Sequence, residues 1–230
     1  MVDHRDIFSD PTALPTFNSH AIESQLHHID GLSEHFLYLN DDVFFGRPVD
    51  PELFFHGNGI AKFFLSEQAV DYQPRSAEDL PVDSAAKNNR ALLEAAFGRT
   101  VERKFQHAAH PQRVSTLSRL EQEHAQEMRR TQHSRFRDPT DLSVASSLAH
   151  YYGFAIGAAV PGKLSYRYCD INEPSAQAKL LRLLRRQDAD VFCLNEIDST
   201  GINTRKVDAL TRSFLNAYFP VASSFESEKS

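Results

Sequence analysis

Phe36-Leu-Tyr-Leu-Asn-Asp-Asp-Val-Phe-Phe45 is the stretch that decides the fold. Phe36 to Leu39 reads as a short buried strand, Asn40, Asp41 and Asp42 follow at once, and Val43, Phe44 and Phe45 return to apolar. Two adjacent carboxylates between apolar runs cannot both be buried unpaired, because desolvating an ionised carboxylate is too costly. They require a cation, a helix N-terminus, or water at a cleft. At the C-terminal end of a strand in an α/β sheet a cleft is the usual arrangement. Two readings stay open: a site for a divalent metal or a phosphate-bearing substrate, since hard cations prefer carboxylate oxygen, or a solvated strand-to-loop turn.

A distant segment echoes the first. Ala189-Asp-Val-Phe-Cys-Leu-Asn195 is a second buried strand that delivers Asn195 and then Glu196. As neighbours in a parallel sheet, the two strands would open both acidic tips on one edge.

Between and around these strands helices are expected. Asn18 or Ser19 caps a helix running to about His28, where Ala21, Ile22 and Leu26 recur at helical spacing. Glu23 is placed near its first turn, where a carboxylate suits the helix dipole. Ile60 to Leu65 reads as a strand, 66–85 as a surface loop, and Asn88 to Phe97 as a helix closed by Gly98. Pro111 opens a long helix to His133, and another spans Thr140 to Tyr152. Tyr166 to Tyr168 is a strand, Ser175 to Arg186 an amphipathic helix, and Ile202 to Tyr218 a terminal helix. The expected class is α/β: a mixed sheet flanked by helices, with a helical insertion around 86–152. One domain covers 1–222, and 223–230 form a disordered tail.

Composition narrows the function. The chain has 230 residues, 41% hydrophobic and 24% charged, with a formal net charge of -6. These values are ordinary for a globular protein and offer no basic surplus for nucleic acid or an anionic membrane. No apolar run approaches the roughly 20 residues of a membrane helix. Two cysteines, Cys169 and Cys193, form neither a zinc pattern nor a disulfide framework, which fits a reducing compartment. There are 17 Phe and 7 Tyr but no Trp.

Several polar groups have chemistry to offer, each with a plainer alternative. His107 and His110 have the pKa for acid–base work near neutrality, or are loop histidines beside a helix. Arg135, Arg137, Asp138 and Asp141 form a charged knot before a helix, where an Arg would grip phosphate bidentately; capping and surface ion pairs explain the same residues. Asn18, Ser19 and His20 contact substrate or simply cap. Arg182, Arg185 and Arg186 read as a solvated helix face.

Taken together, Leu14-Pro-Thr-Phe-Asn-Ser-His-Ala-Ile-Glu23, Gly31 to Phe45 and Asp50-Pro-Glu-Leu-Phe-Phe55 resemble the second conserved region of the Stealth family of sugar-phosphate transferases. That family includes capsular polysaccharide phosphotransferases and the catalytic subunit of N-acetylglucosamine-1-phosphotransferase. His107 to Glu121 and Arg135 to Tyr152 are similar to its third region, and Val191-Phe-Cys-Leu-Asn-Glu196 to its fourth, where Glu196 replaces the family's usual Asp. The family's first region, a Trp-Val-Asp-Gly strand end, has no counterpart here, so an N-terminally incomplete domain is expected.

The resemblance implies transfer of a sugar-1-phosphate from a UDP-sugar, such as UDP-N-acetylhexosamine, to a hydroxyl of an acceptor polysaccharide or oligosaccharide, with release of UMP, in capsule or exopolysaccharide synthesis. It implies that Asp41 and Asp42 hold Mg2+ (or Mn2+), with Asp42 also in the catalytic set. Arg137 would clamp the phosphoryl group, and His110, or else His107, would take the acceptor proton. Asn18, His20, Asn40, Asp141 and Asn195 would bind donor or orient these groups. A cytoplasmic location, free or peripheral at the inner face of the bacterial membrane, is expected. Two alternatives remain: a non-catalytic remnant that binds nucleotide sugar or glycan, and a subunit that needs a separate N-terminal chain.

Overall fold

Apolar runs too short for long strands produce many small ones. The computed structural model describes residues 1–196 and 204–223. In chain order the elements are α1 (His4–Ile7), α2 (Ser19–Glu23), β1 (His35–Tyr38), β2 (Val43–Phe45), β3 (Ala61–Phe63), β4 (Leu65–Ala69) and α3 (Pro81–Phe97). There follow β5 (Arg103–Phe105), β6 (His110–Arg113), α4 (Val114–Glu123), α5 (Ala125–Gln132), α6 (Ala149–Ala155), β7 (Ala159–Pro161), β8 (Tyr166–Asp170), α7 (Ala176–Arg186), β9 (Val191–Asn195) and α8 (Thr204–Tyr218). The class is α/β, as expected.

The chain divides into two units. The first comprises Met1–Leu39 and Asp50–Leu164, the second Asn40–Val49 and Ser165–Ser230. Leu93, Leu117, Leu120, Met128, Leu142, Leu148 and Tyr152 form the core of the first. It carries three two-stranded sheets: β1 with β6 and β4 with β5, both antiparallel, and β3 with β7, parallel. The second unit is built on the mixed sheet β2-β9-β8, antiparallel on one side of β9 and parallel on the other. The α7 and α8 residues Leu180, Leu183, Phe214 and Tyr218 join Phe192 of β9 in its core.

Five local expectations change. Phe36 to Tyr38 are half-buried rather than buried, and β1 does not lie beside β9 in parallel: it pairs with β6, Tyr38 opposite His110. It is β2, beyond the acidic turn, that pairs with β9, Val43 opposite Cys193. Pro111 does not open a helix; it lies in β6, where a two-stranded sheet tolerates its missing N–H. The long helix breaks at His124 into α4 and α5. The expected loop 66–85 holds most of β4 and the start of α3, which Pro81 opens. Alternation could not reveal β4, because Ser66, Glu67 and Gln68 supply no apolar face. Glu23 ends α2 rather than beginning it, and is buried. The tail expected over 223–230 lies, beyond Ser223, outside the described residues.

Candidate active site

In the first unit, segments more than a hundred residues apart meet around one buried amide. Asn18 is fully buried. Its Nδ2 donates to Asp141 Oδ2 at 2.7 Å and to the carbonyls of Ser134 at 3.1 Å and Phe136 at 3.3 Å. Its Oδ1 accepts the His20 N–H at 3.1 Å, the capping bond the sequence suggested for α2. The Phe17 N–H donates to the Arg135 carbonyl at 2.8 Å and completes the seam.

Asp141 is fully buried at its centre. Its Oδ2 also accepts the Asp138 N–H at 2.9 Å and lies 3.6 Å from His20 Nδ1. Burial pushes the Asp141 carboxyl upward, but the nearby His20 ring, the hydrogen bonds from the Asp138 backbone and Asn18, and the neighbouring Ser134 outweigh it and hold the group below its ordinary value. Above this knot, exposed Arg137 donates from Nη2 to Ser19 Oγ at 3.0 Å. Thus Asn18, His20, Arg137 and Asp141 are brought together, with a buried carboxylate beneath and a guanidinium at the surface.

Sequence reading missed the aromatic pair beside them. Phe17 and Phe136 are 66% and 63% exposed, yet stack with centroids 5.5 Å apart. The Arg135 guanidinium lies 5.7 Å and 5.9 Å from the two rings. The available signal was a Phe next to a polar pair in each segment, Phe17-Asn-Ser and Arg135-Phe-Arg137.

His110 belongs to the same unit. It is buried on β6, its Nδ1 3.0 Å from His150 Nε2 and its ring stacked on Tyr38 with centroids 6.3 Å apart. Burial, with the charges of His150 and His107 adding to it, lowers the His110 pKa well below the ordinary value; burial alone takes His150 to about 3. Both rings are therefore neutral at pH 7. His110 lines a cavity of about 200 Å³ with Lys104, Gln106, His107, Ser143 and Ser146. Buried Glu23, read from sequence only as a partner of the helix dipole, accepts from Ser146 Oγ at 2.8 Å and from Tyr38 Oη at 3.3 Å, so it ties α2 to this wall.

In the second unit the acidic turn is closed by a bond from the Val43 N–H to the Asn40 carbonyl at 3.2 Å. Asp41 is exposed. Asp42 Oδ2 accepts from Asn195 Nδ2 at 3.0 Å and from the Cys193 thiol at 3.2 Å. Burial first, and then the charge of Asp42, raises the Cys193 pKa and keeps the thiol a donor. Asp42 thus meets Asn195 through the antiparallel β2–β9 register, and not through the parallel pairing of the two strands that the sequence suggested. The carboxylate oxygens of Asp41 and Asp42 are of the kind a hard divalent cation prefers.

Similarity to known proteins follows the same segments. Models of Stealth protein conserved regions 2, 3 and 4 match residues 1–63, 106–154 and 182–230. An exopolysaccharide phosphotransferase of Streptomyces coelicolor is 50% identical over 98% of this chain and 39% of its own length. A Nocardia farcinica exopolysaccharide phosphotransferase is 43% identical over 95% of this chain and 43% of its own. The exopolysaccharide phosphotransferase CpsY of Mycobacterium tuberculosis is 40% identical over 98% and 43% respectively. The chain thus spans about two fifths of the length of these relatives. Three conserved regions matched in order, together with identity along nearly the whole chain, establish that this protein belongs to the Stealth family.

Proposed function

We propose that this chain carries catalytic machinery of a sugar-phosphate transferase that builds exopolysaccharide or capsule. The observation that supports this most is identity of 40–50% to exopolysaccharide phosphotransferases along 98% of the chain. In the proposed reaction an acceptor glycan hydroxyl attacks the phosphorus nearest the sugar of a UDP-sugar, such as UDP-N-acetylhexosamine. A new P–O bond forms, the bridging P–O bond to UMP breaks, and the product is a phosphodiester.

Such a transfer needs charge neutralisation and a positioned base. Arg137 is the guanidinium for the phosphoryl oxygens, held toward Ser19 while Asn18 and Asp141 fix the loop that carries it. His110 is the proton acceptor. In the tautomer whose Nδ1–H donates to His150 Nε2, its Nε2 presents a lone pair, and burial keeps the ring unprotonated. His20, Asn40 and Asn195 bind donor or orient these groups. Asp41 and Asp42 would hold Mg2+ (or Mn2+), which when bound neutralises diphosphate charge. The stacked Phe17 and Phe136 offer a flat apolar face for a sugar or base ring.

The test is UMP release from UDP-N-acetylglucosamine in the presence of Mg2+ and an oligosaccharide acceptor. Arg137→Ala and His110→Ala should each lower kcat by about a hundredfold or more. UDP-sugar binding with no UMP from wild type would indicate a binding remnant and sink the transferase reading.

A further inference from the structure

A second polar constellation lies in the first unit, built from a turn and a helix that the transfer reading does not use. His27 and His28 close the turn after α2, and Glu121 projects from α4. Glu121 Oε2 is 2.9 Å from His27 Nε2 and 3.0 Å from His28 Nε2, and the two imidazole centroids are 4.1 Å apart. Among the described residues, these three offer ligand atoms all within 4.8 Å of one another.

The tautomer of His28 is fixed from behind. Its Nδ1 lies 3.0 Å from the Ile7 carbonyl, which can only accept, so Nδ1 carries the proton. In neutral His28 the lone pair on Nε2 then faces a carboxylate oxygen. Two acceptors at that distance need a positive centre between them, either a second proton on His28, whose pKa the Glu121 carboxylate raises, or a metal ion that replaces that proton. A backbone carbonyl behind an imidazole is how proteins hold a metal-binding histidine in the correct tautomer and orientation. His27 Nδ1 makes no hydrogen bond, so nothing ties His27 to the other tautomer. Ligands of a tetrahedral ion at about 2.1 Å lie about 3.4 Å from each other, so each His Nε2 need part from Glu121 Oε2 by only a few tenths of an ångström from the 2.9 and 3.0 Å seen here. The site also has an approach: Glu121 and His28 are 30% and 28% exposed, and Glu121 lines a cavity of about 500 Å³ with Ser9, Asp10, Gln122, Arg129 and Gln132.

We propose that His27, His28 and Glu121 form a binding site for a divalent first-row transition ion of the zinc class, with water from the adjoining cavity filling the remaining positions. Two imidazoles and one carboxylate favour such an ion over Mg2+ or Ca2+. The ion fastens the turn at 26–28, and through the Ile7 carbonyl the N-terminal segment, to α4. The site stands apart from the proposed transfer chemistry, and its test does not depend on activity.

The full chain, stripped with chelator, is titrated with Co2+ and Zn2+. One Co2+ per chain with visible d–d absorption, displaced by Zn2+ but not by millimolar Mg2+, is expected, along with a rise of several degrees in Tm on adding Zn2+. Glu121→Gln and His28→Gln should each weaken Zn2+ binding at least tenfold with an unchanged circular dichroism spectrum, and Asp42→Asn should leave it unaltered. Absence of Co2+ bands in the wild type overturns the site without recourse to any variant. Zn2+ affinity unchanged in both Gln variants overturns it equally.

Discussion

Asp141 shows why a carboxylate can be fully buried in this protein: three contacts, from Asn18, Asp138 and His20, converge on its Oδ2. Its pKa is lowered on folding. A depressed carboxyl contributes stability that is complete above its unfolded value and is lost as pH falls through the folded one. Asp141→Asn should therefore destabilise at pH 7 and cost progressively less below about pH 4, as read by urea unfolding at several pH values. His150 has the same sign for another reason. Its pKa falls to about 3 through burial, so below about pH 6.5 the unfolded chain takes up a proton that the folded chain refuses. Stability then falls with pH, at up to about 1.4 kcal/mol per unit for each such ring. His150→Phe should flatten the unfolding profile between about pH 6.5 and 4.5; an unchanged slope would mean that the ring is hydrated. Asn18→Ala removes a cap and strands a buried carboxylate, and should cost about 2–4 kcal/mol.

At the scale of elements, short strands are held by what crosses them. β2 has three residues, yet it is anchored at both ends: the Leu194 N–H donates to the Asp42 carbonyl at 2.9 Å and the Gly46 N–H to the Asp190 carbonyl at 2.9 Å. Tyr218 Oη of α8 then donates to the Gly46 carbonyl at 2.7 Å. A Cβ on Gly46 would meet the Ala189 carbonyl oxygen at 2.5 Å, and backbone cannot retreat cheaply. Gly46→Ala should cost about 2 kcal/mol or more, seen as a lower Tm and earlier hydrogen exchange in β9. The end of α7 carries the opposite opportunity. Gln187 caps it at φ 44, in the left-handed region that favours glycine. Gln187→Gly should stabilise by about 0.5–1 kcal/mol, and a lower Tm would refute the strain.

At the scale of the molecule, each unit has a hydrophobic core of its own. Leu120 is fully buried in the first and Phe192 in the second. Leu120→Ala should cost about 2–5 kcal/mol and reduce amide protection in α4 and α6 while β9 keeps its own. Equal loss in both would mean that the cores unfold as one. The second unit draws β2 from a chain segment of ten residues, 40–49, far from its other strands in sequence. The stretch 36–45 that organises the sequence is thus divided between units: its first four residues belong to one and the rest to the other.

What the sequence determined by itself were the local and chemical facts: an α/β alternation, a cap at Asn18 or Ser19, the acidic turn at 40–42, the strand ending at Asn195, and the family. Each is carried by neighbours in the chain, through side-chain period, turn chemistry or motif. Partners across long separations were decided only in the tertiary structure. Whether Phe36–Tyr38 would pair with β9 or β6, that Pro111 would enter a strand, that Asn18 would find Asp141, and that His27 and His28 would meet Glu121 all depend on packing of surfaces brought together by folding. Such choices leave no periodic trace, because pairing free energy depends on what lies opposite a residue and not on what precedes it.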